Sequence, residues 1–515
     1  MNQISIFNHV IGPIMRGPSS SHTAGAYHIG KMALSMLGSK PKKVIVSFDK
    51  DGSYGKVYHE QGVDMAFASG IMGWDIIDER FEIALGAASE NGLDISFEVK
   101  SLKDADHPNT VDIQLTSIDG KQLNTRAKSI GGGAIVFTNL ENWQINFTGN
   151  AYEVAIESES HTESQILKLL KCDDNLIDAP ILQSQGSLSL ICTRHGSPLP
   201  SELQQKIKEI NGFRKIWIAE PVYFVHKSDP MFLSSEEMIA IADKRKLSLG
   251  QIALEYESKL LGMPEEAVLN EMLHRLDIMT NAVARGLKIK DGMKLLRPTA
   301  GKIFKAEAEG KVAIGGLHAR AAARSMAAMH VKSSMGVVCA APTGGSAGTI
   351  PGTIVTLVED KGISLESAGM SLLAAGIIGV IVANRATFAA EVAGCQVEIG
   401  AAGAMSASAV VDAFGGNARQ ATDAAAIAFQ NTMGSICDLV QGFVEIPCHT
   451  RNAVASANAF ICADLILGGY ENPINLDETI DAVYSSGKMM PPELRCTALG
   501  GLAITPSALA IKRLK

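Results

Sequence analysis

Residues 151–225 decide how the chain divides. They read AYEVAIESE (151–159), HTESQILKLLKC (161–172), APILQSQGSLSLICTR (179–194), LPSELQQKIKEI (199–210) and KIWIAEPVYFV (215–225). The first and last are strand-like, and the second and fourth are amphipathic helices. The third reads as a hairpin about Gln185-Gly186, so the order is βαββαβ. On the N-terminal side, KKVIVSFDK (42–50), DISFEVKSL (94–102) and NTVDIQLTS (109–117) read as strands of a mixed α and β region. FEIALGAASENGL (81–93) adds another element, and Ser129-Ile130-Gly131-Gly132-Gly133 makes a tight connection before AIVF. From Asp229 onward EEMIAIADKR, LGQIALEYESKLLG and PEEAVLNEMLHRLDIMTNAVARGLK carry apolar residues at helical spacing. Beyond Lys311 the helices become rich in Ala and Gly and apolar on most faces, as in a buried bundle.

Composition supports this division. The chain has 515 residues, 46% hydrophobic and 19% charged, which is globular composition with room for several domains. Aromatics are only 5% and Gly numbers 49, so helices are expected to approach closely. A net charge of −8 leaves no basic excess for a nucleic-acid backbone, and no nucleic-acid partner is expected. The N-terminus has no basic region followed by a long apolar run, so a signal peptide is not expected. Ser367–Asn384 is an uncharged run of 18 residues, at the lower limit for crossing a bilayer. Its Ala and Gly content favours a core helix, no membrane partner is expected, and the expected location is cytoplasmic. Eight Cys in this length are no disulfide scaffold.

Three groups of residues can carry chemistry. Gly17-Pro18-Ser19-Ser20-Ser21-His22-Thr23-Ala24-Gly25 presents hydroxyls and backbone N–H groups where a helix opens, a setting for anions. His22 is placed there to exchange a proton near neutrality. Ala341-Pro342-Thr343-Gly344-Gly345-Ser346-Ala347-Gly348 is a second anion candidate, without the Lys ending of a nucleotide loop. The third group is Cys395, Cys437 and Cys448, spaced Cys-x41-Cys-x10-Cys, which matches neither zinc-finger nor ferredoxin arrays. If the segment is helical, Glu391, Cys395 and Glu398 share one face. Each group also has a plain structural reading: a capped helix, a tight turn and core thiols.

The βαββαβ stretch fits a ferredoxin-like module and resembles an ACT domain, although Glu157-Ser158-Glu159-Ser160-His161 replaces the usual Gly after the first strand. GPSSSHTAG, the GCQ-E-G segment and IPC-x-x-RN together resemble the iron-sulfur L-serine dehydratases. Gly52-Ser53, Asp64, His107-Pro108-Asn109, Ser129–Gly133 and APTGGSAGTIPG match as well. The resemblance implies three domains: a beta-type α+β domain (1–150), an ACT-type ferredoxin-like module (151–228) and an all-α catalytic domain of alpha type (229–515). It implies that Cys395, Cys437 and Cys448 hold a [4Fe–4S] cluster whose open iron acts as a Lewis acid on the β-hydroxyl, yielding pyruvate and ammonia. It further implies that Ser19, Ser20, Ser21 and Thr23, with Thr343 and Ser346, bind the amino-acid substrate. His22 is then a proton carrier, and the protein a homodimer.

Two departures bear on the substrate. Glu60-Gln61-Gly62-Val63-Asp64 stands where the family reads G-H-G-T-D, so Gln61 replaces a histidine, with His59 nearby. Val331-Lys332-Ser333-Ser334-Met335-Gly336 carries Lys332 where relatives have Asn, and if it faces the pocket it suits a second carboxylate. Cys496 is either a fourth ligand or incidental. Other readings are a lyase acting on threonine, 3-hydroxyaspartate or cysteine, and a non-catalytic amino-acid sensor, against which the retained Cys count.

Overall fold

The computed structural model describes residues 3–514. The chain forms two compact units, one built from the segment through Ser20 together with Ser228 to the C-terminal end, the other from Ser21–Lys227.

The Ser21–Lys227 unit contains two sheets. In the larger, the strands lie in the order Asp94–Lys100, Pro41–Asp49, Thr110–Ser117, Gln122–Gly131, Ala134–Leu140 and Trp143–Phe147. Only the first pair is parallel. Val44, Val46 and Phe48 alternate into the core, the period-two burial of a one-sided strand. Gly131, Gly132 and Gly133 have φ of 105°, 61° and 90°, a run that side chains resist, so this turn demands glycine. The helices Gly25–Leu37 and Val63–Ile71 pack together. A Cβ at Gly70 would stand 2.5 Å from the Tyr27 carbonyl oxygen, so the small residue sets the helix spacing.

The smaller sheet runs Phe213–Ala219, Tyr152–Glu159, Leu188–His195, Ile181–Gln185, all antiparallel. Helices Glu163–Leu170 and Ser201–Lys208 cover one face. Their Ile166, Leu170 and Ile207 pack on Val154, Ile156 and Ile191. The βαββαβ order read from the sequence is present. Its last strand ends at Ala219, because Pro221 has no N–H to continue a ladder. Val222 and Tyr223 instead donate to the Gly149 carbonyl at 2.9 and 3.1 Å.

The other unit is helical. Its longest apolar helix, Leu365–Arg385, is 78% buried along its most apolar stretch and is a core helix. It is the one helix among the described residues long and apolar enough to span a bilayer. Its Gly379 lets Val10 and Met405 press against its backbone. The N-terminal segment belongs here because Glu257 accepts from the Ile6 and Phe7 N–H groups at 2.9 and 3.0 Å. Strand Ile14–Arg16 then pairs antiparallel with Val337–Cys339. This ribbon carries the chain into the serine-rich motif and ends beside helix Leu317–Ser333.

Candidate active site

In the helical unit three distant segments converge on thiols. Gly394, at φ 76°, ends the turn Ala390–Ala393, and Cys395 begins a short 3-10 turn before helix Ile399–Ala413. The uninterrupted helix considered for 391–398 is therefore absent, because the backbone reverses at this glycine and Glu391, Cys395 and Glu398 share no helical face. Cys437 lies on an extended segment whose N–H donates to the Leu494 carbonyl at 2.8 Å. Cys448 opens helix Cys448–Leu467. All three are buried in one cluster with Met329, Ile399, Leu439 and Ala455. Cys496 is partly buried at its edge, and its N–H donates to the Cys437 carbonyl at 2.8 Å.

The electrostatics of this cluster are unusual. Hydrogen bonding to the Cys395 and Cys496 thiols, with burial, pushes the Cys437 thiol far up. Burial and then the Cys395 charge do the same to Cys448. Arg451 lies alongside: its Nη1 is 3.6 Å from Cys395 Sγ, 3.0 Å from Asp438 Oδ1, and donates to the Ile436 carbonyl at 2.7 Å. A cavity of about 300 Å³ reaches Cys395 between Arg451, Asn431, Thr432 and Asn458. Among the described residues no set of three or more His, Cys, Asp or Glu side chains is arranged to hold a metal ion.

The second anion candidate lies in the same unit. The Thr343 hydroxyl donates to the Glu398 carboxylate and accepts from the Gly345 N–H at 3.1 Å. Ser346 Oγ accepts from the Thr343 N–H at 3.2 Å and donates to the Ala341 carbonyl at 3.1 Å. A Cβ at Gly345 would stand 2.8 Å from the Glu398 carboxyl carbon, so a side chain here would displace that carboxylate. Burial pushes Glu398 up to about 7, with the Thr343 hydrogen bond opposing. Asn452 joins the loop to the thiols. Its Oδ1 accepts from the Gly348 and Thr349 N–H groups at 3.2 and 3.1 Å, and its Nδ2 donates to the Gly345 and Cys448 carbonyls at 2.8 and 2.9 Å. Sequence reasoning gave Asn452 no role; its only signal was the Arg-Asn pair after IPC.

Ser19 and Ser20 belong to this unit too. The Ser20 backbone nitrogen faces Gly344, and Gly17 lies against the Lys332 backbone. Lys332 is fully buried, and its Nζ has no hydrogen-bond partner among the described residues. Burial pulls it down to about 8, while Cys448, Glu398 and Glu445 oppose that shift. It does not face solvent.

The rest of the motif belongs to the Ser21–Lys227 unit. Residues Ser20–Ala24 form a π-helical turn ahead of helix Gly25–Leu37, so they wind more widely than the capped helix start that the sequence suggested. His22 Nδ1 is 3.1 Å from Ser21 Oγ, and its Nε2 is 2.9 Å from Ser53 Oγ. Burial lowers the ring to about 4, so it is neutral at pH 7. Tyr54 meets the ring edge-on at 5.3 Å and donates to the Ser21 carbonyl at 3.1 Å. Thr23 donates to the Gln61 carbonyl at 2.9 Å, while Gln61 Oε1 is buried with no partner among the described residues. His59, three-quarters exposed, is held 2.7 Å from Asp64.

The helical unit therefore holds buried thiols joined through Asn452 to a hydroxyl-and-glycine loop. Residues 244–503 match the family model described as serine dehydratase alpha chain. A probable L-serine dehydratase alpha chain of Bacillus subtilis is 37% identical over 286 residues, spanning 55% of this chain and 95% of that one. A probable alpha chain of Latilactobacillus sakei is 43% identical over 188 residues, 36% of this chain and 90% of that one. A probable beta chain of Bacillus subtilis is 41% identical over 150 residues, 29% of this chain and 66% of that one. The chain belongs to the serine dehydratase family, with alpha-type and beta-type sequence in one polypeptide. It is a carbon–oxygen lyase.

Proposed function

We propose that the protein dehydrates and deaminates L-serine to pyruvate and ammonia, using a [4Fe–4S] cluster held by Cys395, Cys437 and Cys448. The observation that carries this reading is the burial of these three thiols in one cluster, tied through Asn452 to the Thr343–Ser346 loop. The donor set suits iron: thiolates are its usual ligands, and in a polynuclear cluster each binds its own iron. Arg451 and Lys332 supply positive charge beside these thiols. The cluster would supply a Lewis-acidic iron that makes the β-hydroxyl a better leaving group.

The protein's own groups do the remaining work. Ser19, Ser20, Ser21 and Thr23, with Thr343 and Ser346, bind and orient the zwitterionic amino acid through neutral hydroxyl and backbone donors. Glu398 stays buried and orients the Thr343 hydroxyl. His22 accepts and returns a proton; a neutral imidazole can do so, and hydroxyls hold both its nitrogens. Residues 1–150, 151–228 and 229–515 correspond on this reading to beta-type, ACT-type and alpha-type regions. The four-strand order and two helices of 152–219 support the ferredoxin-like assignment. The test is equimolar pyruvate and ammonia release from L-serine by anaerobically prepared protein. An iron-loaded preparation that releases neither rejects the proposal.

A further inference from the structure

Lys332 is the largest unexplained charge in the helical unit. It lies near the C-terminal end of helix Leu317–Ser333, fully buried, and its ammonium has no hydrogen-bond partner among the described residues. Burying an ammonium without a hydrogen-bond partner is costly, and the Cys448, Glu398 and Glu445 charges only partly offset that cost, so Lys332 can still take a directly bonded anion. The two carboxylates whose charge reaches Lys332 make their hydrogen bonds to other groups. Glu398 accepts from Thr343. Glu445 accepts from the Lys294, Leu295 and Leu296 N–H groups at 2.7, 2.8 and 2.8 Å. The Lys332 backbone is packed against Gly17 of the serine motif, and the next residue, Ser333, is 3.0 Å from His449, which follows Cys448. Within the helical unit the Lys332 backbone thus meets Gly17, while its ammonium feels the charges of Cys448 and of Glu398, the acceptor of the Thr343 hydroxyl.

From this geometry we infer that Lys332 is a specificity residue for a second carboxylate, so that the enzyme accepts β-hydroxy amino acids whose β-carbon carries a carboxylate, such as 3-hydroxyaspartate. The inference rests on the lyase reading above. On the lyase reading the α-carboxylate takes neutral donors such as Ser19, Ser20, Thr343 and Ser346 of the helical unit, which leaves the charged donor for the additional group. The chemistry balances as it does for serine. The Cα–H proton and the β-hydroxyl leave as water, the enamine tautomerises to an imine, and one water hydrolyses it to a 2-oxo dicarboxylic acid and ammonia. No oxidant or reductant is consumed.

The test compares kcat/KM for L-serine and for the L-3-hydroxyaspartate diastereomers in the iron-loaded wild-type, K332M and K332R enzymes, with iron content measured on each. One diastereomer is expected to match or exceed serine in the wild type. K332M is expected to lower the hydroxyaspartate-to-serine ratio roughly 100-fold, mainly through KM, and K332R to recover part of it. L-Aspartate, which lacks the hydroxyl, is expected to inhibit the wild type more strongly than L-alanine and to lose that advantage in K332M. Serine turnover without hydroxyaspartate turnover would overturn the inference and leave the lyase reading standing. An equal loss on both substrates, or loss of iron in K332M, would also overturn it, by assigning Lys332 to the common α-carboxylate or to cluster retention. Turnover of neither substrate would reject the lyase reading itself.

Discussion

Gly17 and Lys332 meet backbone to backbone: a Cβ at residue 17 would stand 2.6 Å from the Lys332 carbonyl carbon and 3.1 Å from its Cα. Gly17, the first residue of the serine-rich motif, is thus seated on the end of a buried helix, and the seat has no room for a methyl group. Gly17→Ala is predicted to cost at least ~2 kcal/mol, as overpacking a closed contact does. Gly86→Ala is the contrast, because nothing lies within 4 Å of its missing Cβ in the helix Ala84–Glu90. It is expected to be neutral or to stabilise by up to about 1 kcal/mol. Thermal unfolding of the two variants checks both statements.

Lys332→Met gives a separate stability prediction. The wild-type ammonium is buried without a hydrogen-bond partner among the described residues, so a neutral side chain of similar length relieves its desolvation. In the absence of substrate the Tm of K332M is expected to hold or rise. A fall of several degrees would mean that the charge is structurally paired.

His22→Gln keeps a hydrogen-bonding side chain but cannot carry a proton. If His22 moves a proton in the reaction, kcat for serine falls about 100-fold or more while iron content is unchanged. An unchanged kcat would remove His22 from the chemistry.

Buried histidines make the Ser21–Lys227 unit acid-labile. His28 lies under Gly133 and Tyr223, its Nδ1 2.9 Å from the Gly133 carbonyl, and burial lowers its ring to about 4. Between the unfolded value near 6.5 and about 4, the unfolded chain binds a proton that the folded one refuses. Stability is therefore fully present above about 6.5 and declines as pH falls, by roughly 3 kcal/mol from this residue. Trp74, Trp143 and Trp217 all lie in this unit, so urea unfolding followed by tryptophan fluorescence reports on it. His28→Gln is expected to flatten the acid limb between pH 6.5 and 4. An unaltered slope would show that other groups dominate.

Much of this architecture is legible in local pattern. The alternation in 152–219 and the helical spacing after Asp229 follow from which face each residue buries. What the sequence hid was set by single backbone angles or by distant partners. Gly394 looks like any glycine in an apolar run, yet its φ of 76° breaks the helix that would have aligned Glu391, Cys395 and Glu398. The union of residues 6 and 7 with Glu257 spans about half the chain, and no periodicity announces it. Asn452 was visible as a motif letter, but its five hydrogen bonds to the glycine loop, Thr349 and Cys448 exist only in three dimensions. Lys332 stood out by residue type, and only the fold could show it to be buried.

Cys395, Cys437 and Cys448 are proposed to hold a cluster that serves a dehydratase. This assignment is tested most directly by iron and acid-labile sulfide analysis of the anaerobically reconstituted chain, with pyruvate formation from L-serine assayed on the same sample. Cys→Ser variants at each of the three positions are compared with Cys172→Ser, which alters an exposed thiol. About four irons per chain and pyruvate release are expected in the wild type and in C172S, with both lost in each of the three buried-thiol variants. A reconstituted wild type without iron, or buried-thiol variants that keep their iron and activity, would contradict it.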